Sequence, residues 1–267
     1  MWGWLRPLQG RDVALRAAAV TFYAGIAVVP IALLAIWVTG LVAGTGRVRR
    51  LTGHTIAALP DEIGAPRALS ALISSGLHLS PWFALASLLP ATFYGEGLRR
   101  AFVSLRDTPE SFVGWRGRLL WLPALAAAPA LLLAMFLALP TTSALWERGG
   151  WYAVLGVVLS FLAAWLVLTP IVVWVYRYVA PDRPAWPAAL AVGSFTAANL
   201  SGFLHGFVLF CSLPLNLGAP FGGFTQIGGT VAVGLWLYVF HVILLAGYAA
   251  TLSASSYLRR RQSHSPS

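Results

Sequence analysis

From Pro184 to Leu258 the chain reads PAWPAALAVGSFTAANLSGFLHGFVLFCSLPLNLGAPFGGFTQIGGTVAVGLWLYVFHVILLAGYAATLSASSYL, 75 residues without one Asp, Glu, Lys or Arg. A helix crosses the hydrocarbon core of a bilayer with about 20 apolar residues, so this run is long enough for two spans and a connection. The cluster Pro214-Leu-Asn-Leu-Gly-Ala-Pro-Phe-Gly-Gly223, close to its middle, supplies the break. Four shorter charge-free runs precede it: Ala17 to Gly46, Ala68 to Gly95, Leu119 to Trp146 and Gly149 to Tyr176, each 28 to 30 residues long and each fitting one helix. The fold class is therefore an all-α integral membrane protein, a bundle of six transmembrane helices. The spans are expected at about 17–42, 72–93, 119–139, 151–175, 188–210 and 226–252, within a membrane domain at 17–258. A segment at 1–16 precedes it and an Arg-rich tail at 259–267 follows, the tail expected to be disordered near the lipid headgroups.

Composition agrees. Of 267 residues 58% are hydrophobic and 10% charged, against about 25% charged in a soluble domain, and mean hydropathy is +0.76. All eighteen basic residues are Arg. With six spans both ends share a side, and placing them in the cytoplasm puts thirteen Arg inside and five (Arg47, Arg49, Arg50, Arg67 and Arg148) outside, as the positive-inside rule requires. The formal charge of +10 thus orients the chain and meets the bilayer, with anionic lipid headgroups near the Arg clusters; nucleic acid is not expected as a partner. Residues 51–70, around Pro60-Asp61-Glu62, carry a weak amphipathic pattern suited to the outer membrane surface. Small-residue faces allow a homo-oligomer without requiring one. The lone Cys211 lies in an apolar run and reads as packing.

Four segments in order resemble the YihY/BrkB family of bacterial inner-membrane proteins. They are Ala17-Ala-Ala-Val-Thr-Phe-Tyr23 with Pro30; Glu96-Gly-Leu-Arg99-Arg100-Ala-Phe102 leading to Trp115-Arg-Gly-Arg118; Tyr176-Arg177-Tyr-Val-Ala-Pro181 with Trp186-Pro-Ala-Ala-Leu-Ala-Val-Gly193; and Gly234-Leu-Trp236-Leu-Tyr238 with Leu244-Leu-Ala-Gly247. The resemblance implies a multi-pass protein of the cytoplasmic (inner) membrane, linked to envelope integrity. Two departures stand out. Ala246-Gly247-Tyr248-Ala249 lacks the acid that members commonly carry late in the last helix, and Arg99-Arg100 replaces an Asn. The family is similar to proteins once labelled ribonuclease BN, but no two of the five His lie closer than 23 residues and none has an acid at metal-ligand spacing. No nuclease activity, metal or cofactor is expected.

Polar groups at membrane depth are the default functional candidates, because an unpaired one is costly in hydrocarbon. In the last span Thr230, Gly234, Tyr238, His241, Leu245 and Tyr248 recur at i+3 or i+4, a stripe that lines either a pathway or a helix seam. In the fifth, Ser194, Ala198, Ser201 and His205 share a face, with Asn199 nearby and Gly202 and Gly206 at the spacing that lets another helix approach. His205 and His241 are candidates to face each other across a cavity. Pro30, Pro90 and Pro170 mark helix breaks of the kind transporters use for binding. Glu96 can pair with Arg99 or Arg100 as an inner-face charge cluster. No catalytic set is expected: no Asp lies within a span, and Ser201 and His205 sit one turn apart on one helix, poor geometry for nucleophile and base. The expected function is a transporter or exporter of a lipidic or amphipathic small molecule, driven by a gradient or downhill since no P-loop occurs. The alternative is a non-transporting scaffold that recruits or stabilises envelope proteins.

Overall fold

A computed structural model of the chain describes residues 12–57, 65–105, 111–211, 213 and 215–263. The expectations for Pro60-Asp61-Glu62, for Pro214, for most of segment 1–16 and for residues 264–267 fall outside them.

The described residues are all-helical: α1 Val13–Ala43, α2 Thr45–Ala57, α3 Ala65–Leu77, α4 Pro81–Ser104, α5 Val113–Glu147, α6 Gly150–Trp174, α7 Trp186–Cys211 and α8 Thr225–Ser263. A π-helical turn, Val175–Val179, continues α6, and a short 3-10 turn, Ala219–Phe221, precedes α8. Asp12 caps α1, its carboxylate accepting from Leu15 N at 2.9 Å. Gly149 and Gly150, both at positive φ, turn the chain from α5 into α6.

Among the described residues five helical stretches are long and apolar enough to cross a membrane: Val13–Ala43, Val113–Leu133, Gly150–Val179, Trp186–Phe207 and Thr225–Arg261. The sixth expected span, 72–93, is not one helix. α3 ends at Leu77 and α4 starts anew at Pro81, where Ser80 Oγ accepts from Phe83 N and proline fills the first helical position. α4 then has only Pro81–Tyr94 before Gly95-Glu96, about 21 Å of apolar helix, shorter than the core it would cross.

Neighbour follows neighbour around a closed ring: α1 packs on α4, α4 on α5, α5 on α6, α6 on α7, α7 on α8, and α8 returns to α1. α2 and α3 lie against each other and against α1. Many buried positions carry small residues, Ala17, Ala24, Ala27, Ala91, Ala101 and Ala197, beside the larger Phe102, Tyr176 and Tyr248, while Phe22, Leu41, Leu166, Phe195 and Leu235 are exposed. Small residues at the contacts let helices pack closely in lipid. α4 and α5 approach closely at Gly95, where a Cβ would overlap Trp121 and come within 2.5 Å of Gly117 O.

Two further expectations change. The prolines do not break their helices, since α1, α4 and α6 run through Pro30, Pro90 and Pro170. Each proline forfeits one backbone hydrogen bond, and the turns on either side, packed against neighbours, hold. The irregularity in α6 comes five residues after Pro170, in the π turn closed by Ala180 N to Val175 O at 2.8 Å. Nor is the Arg-rich tail separate, because α8 continues through Arg259-Arg260-Arg261 to Ser263. Leu and Arg are good helix formers, and cations complement the negative end of the helix dipole.

Candidate functional site

The small residues of α1 bring it close enough to α4 and α8 for one buried imidazole of α8 to touch both α1 and α4. His241, 1% exposed, has Nδ1 3.1 Å from Thr21 Oγ1 of α1 and Nε2 3.1 Å from the Tyr94 hydroxyl of α4. Thr21 spends its own proton on Ala17 O at 2.8 Å, so it accepts from Nδ1–H, and Nε2 is left to accept from Tyr94. The bonds run in one direction, from the Tyr94 hydroxyl through the imidazole and Thr21 to the Ala17 carbonyl. The Tyr94 ring is held edge-on to Trp121 of α5, centroids 4.9 Å apart.

One turn and more further along α8 lies an aromatic layer. Tyr176, in the π turn, donates to Leu244 O at 2.7 Å, and its ring packs with those of Phe102 and Tyr248 in a tilted and edge-on trio with centroids 4.4 to 6.3 Å apart. Tyr248 donates to Asp182 in the loop after the π turn, and Arg99 Nη1 donates to Val179 O at 2.6 Å. At Gly247 α8 comes close to α7 and the π turn, because a Cβ there would overlap the Tyr176 hydroxyl and Thr196 Oγ1.

At the charged end of α4, Glu96 Oε1 accepts from Arg100 at 2.8 Å and Oε2 from Arg118 Nε at 2.6 Å. Burial alone would raise this carboxyl's pKa, but the hydrogen bonds and charges of Arg118 and Arg100 outweigh it and hold it below the ordinary carboxylate value. The sequence pairing of Glu96 with Arg100 is present; Arg118, 22 residues on, joins from α5.

The fifth-span residues are placed elsewhere. Ser201 donates to Phe161 O at 2.9 Å. His205 gives its Nδ1 proton to Ser201 O at 2.8 Å, which turns Nε2 to Ser160 Oγ of α6 at 3.0 Å. The two imidazoles therefore have separate partners, His205 toward α6 and His241 toward α1 and α4. Gly202 approaches Phe161 of α6 and Gly206 approaches Trp236 of α8, so the pair serves two neighbours. Asn199 and Thr230 are exposed and bond back to Phe195 O and Gln226 O in their own helices. The α8 stripe is thus buried from His241 to Tyr248, half-buried at Tyr238 and outside the core at Thr230.

Sequence reasoning missed Thr21, Tyr94, Ser160, Tyr176 and Asp182. Thr21 had a signal, since it shares a face with Ala17 and Ala24 in a run of small residues. Among the described residues no group of three His, Cys, Asp or Glu could hold a metal ion.

The family model described as "Virulence factor BrkB" matches residues 5–267. No curated protein and no solved structure matches the chain.

Proposed function

Because this chain belongs to the virulence factor BrkB family, a membrane protein with several apolar helices, we propose that it is a transporter or exporter of a lipidic or amphipathic small molecule. In this reading α4 with the end of α3 completes six spans in the bacterial inner membrane, and both termini are cytoplasmic. The observation that carries it is the directed chain Tyr94, His241, Thr21, buried between three helices that belong to different parts of the sequence. Imidazole at depth exchanges a proton or a hydrogen bond as helices shift, and a ring of six helices can open along the seam that chain closes. Few buried charges suit a weakly ionic substrate. Energy would come from a gradient or from downhill movement. The chain acts as no enzyme in this reading and takes neither cofactor nor nucleic acid.

A scaffold for envelope proteins is the second reading. It draws support from the burial of His241 and the bonds at both its ring nitrogens, an arrangement that transport must open and a scaffold need not. The test is flux of fluorescent lipids and amphipathic solutes in reconstituted liposomes, wild type against His241→Phe. Flux that falls severalfold in the variant supports transport through the seam. No wild-type flux for any solute sinks transport and leaves the scaffold, to be pursued by partner crosslinking.

A further inference from the structure

Between the charged end of α4 and the start of α5 lies a cleft of about 510 Å³, lined by Glu96, Arg100, Phe112, Gly114, Trp115 and Arg118 among others. It holds two guanidinium groups and one carboxylate, so one positive charge is in excess. Arg100 spends Nε and Nη2 on Glu96 Oε1, while Arg118 spends only Nε, on Oε2. The Nη groups of Arg118 have no acceptor among the described residues. Its guanidinium carbon lies over two rings, 4.3 Å from the Phe93 centroid and 5.3 Å from that of Trp115, so a planar fork of donors is held in place at the cleft. That geometry suits two oxygens of a phosphate group.

The walls say which phosphate. Trp115 is 63% exposed and Phe112 79% exposed, and aromatic rings of that kind sit at headgroup depth beside a membrane helix. Phe112 also holds a left-handed φ of +55°, a conformation that costs a non-glycine residue energy and that gathers where a segment serves a ligand. A free phosphate has no use for two exposed rings; a phospholipid has, since its glycerol and upper acyl carbons lie just below its phosphate.

We infer that this cleft binds the phosphate of an anionic phospholipid, with Arg118 as the principal donor, Arg100 adding charge and Trp115 and Phe112 flanking the glycerol region. The site is separate from the His241 seam and does not rest on transport.

The test uses the full chain in nanodiscs with a photoactivatable phosphatidylglycerol whose reactive group lies near the headgroup, against the phosphatidylcholine analogue, with crosslinks mapped by mass spectrometry. Labelling of residues 112–118 should favour phosphatidylglycerol about tenfold, because both lipids offer the phosphate but the choline cation of phosphatidylcholine meets the excess positive charge of the cleft. Arg118→Gln should remove the preference. Should that variant fail to fold, Trp115→Ala, at an exposed position, should lower labelling severalfold for both lipids while Arg47 to Arg50 are labelled as before. Equal labelling by the two lipids in wild type, or labelling confined to other Arg clusters, overturns the site. Displacement of the lipid by millimolar inorganic phosphate overturns the choice of a lipid and assigns the cleft to a soluble phosphate.

Discussion

Tyr248 and Asp182, 66 residues apart, are joined by a hydrogen bond from the phenol to the carboxylate, tying the last helix to the loop that follows the π turn. Tyr248 is fully buried and packed against Phe102. Tyr248→Phe keeps the packing and deletes the bond. A hydrogen bond to a charged group contributes about 1.5–3 kcal/mol, so the variant should melt roughly 4–10 °C lower in detergent. An unchanged melting temperature would show that the bond carries nothing.

Gly247→Ala should be more damaging than its single methyl suggests. The added carbon meets the Tyr176 hydroxyl and Thr196 Oγ1, and overpacking of this kind costs about 1–3 kcal/mol. Removing both obstacles in Tyr176→Phe/Thr196→Ala should recover most of the loss on top of those substitutions' own effect. Additive effects across the three changes would mean that the contact is relieved some other way.

Coupling through the imidazole is measurable by a double-mutant cycle. Thr21→Val and Tyr94→Phe touch different nitrogens of His241, so the second change should cost less once the first has released the ring. The expected interaction energy is about 0.5–2 kcal/mol, read from chemical unfolding in mixed micelles. Additivity within about 0.3 kcal/mol would make the two bonds independent.

Glu96 predicts a pH dependence at the acid side. Its pKa is below the ordinary value of 4.5 in the folded chain, held there by Arg118 and Arg100 against the opposing effect of burial. The unfolded chain therefore binds this proton first as pH falls. Stability from Glu96 is fully present above about pH 4.5 and is lost as pH drops through the depressed folded value. Glu96→Gln should be less stable than wild type at neutral pH and should lose less on acidification, followed by fluorescence of the Trp residues. Parallel acid curves for the two proteins would contradict the assignment.

The apolar runs made the helices legible, because the length of a charge-free stretch is a property of the sequence alone. Five of the six expected spans lie within single helices, and the Glu96–Arg100 pair followed from i,i+4 spacing. What escaped were relations across the bundle. The partners of His241 come from residues 220 and 147 positions away, and a helix face does not announce which neighbour it meets. His205 was read with His241 because both are imidazoles on adjacent helices, yet α7 turns His205 to Ser160. The break at residues 78–80 escaped because Leu79 and its neighbours carry no charge, and the decisive signal was the short Ser80-Pro81 pair. The prolines misled in the opposite direction, since their local penalty is outweighed by packing on both sides.

The closure of the ring by α8 against α1 sets an order of events during synthesis. Thr21 and Tyr94 enter the bilayer long before His241 has been made; at ~5–20 residues per second Thr21 waits roughly 10–45 s for its partner. During that interval the first helices present an open seam with a tyrosine hydroxyl facing lipid. A chain interrupted after α7 has a gap between α1 and α7 where the last helix belongs, and such a fragment offers quality-control proteases a bundle that no amount of time can complete.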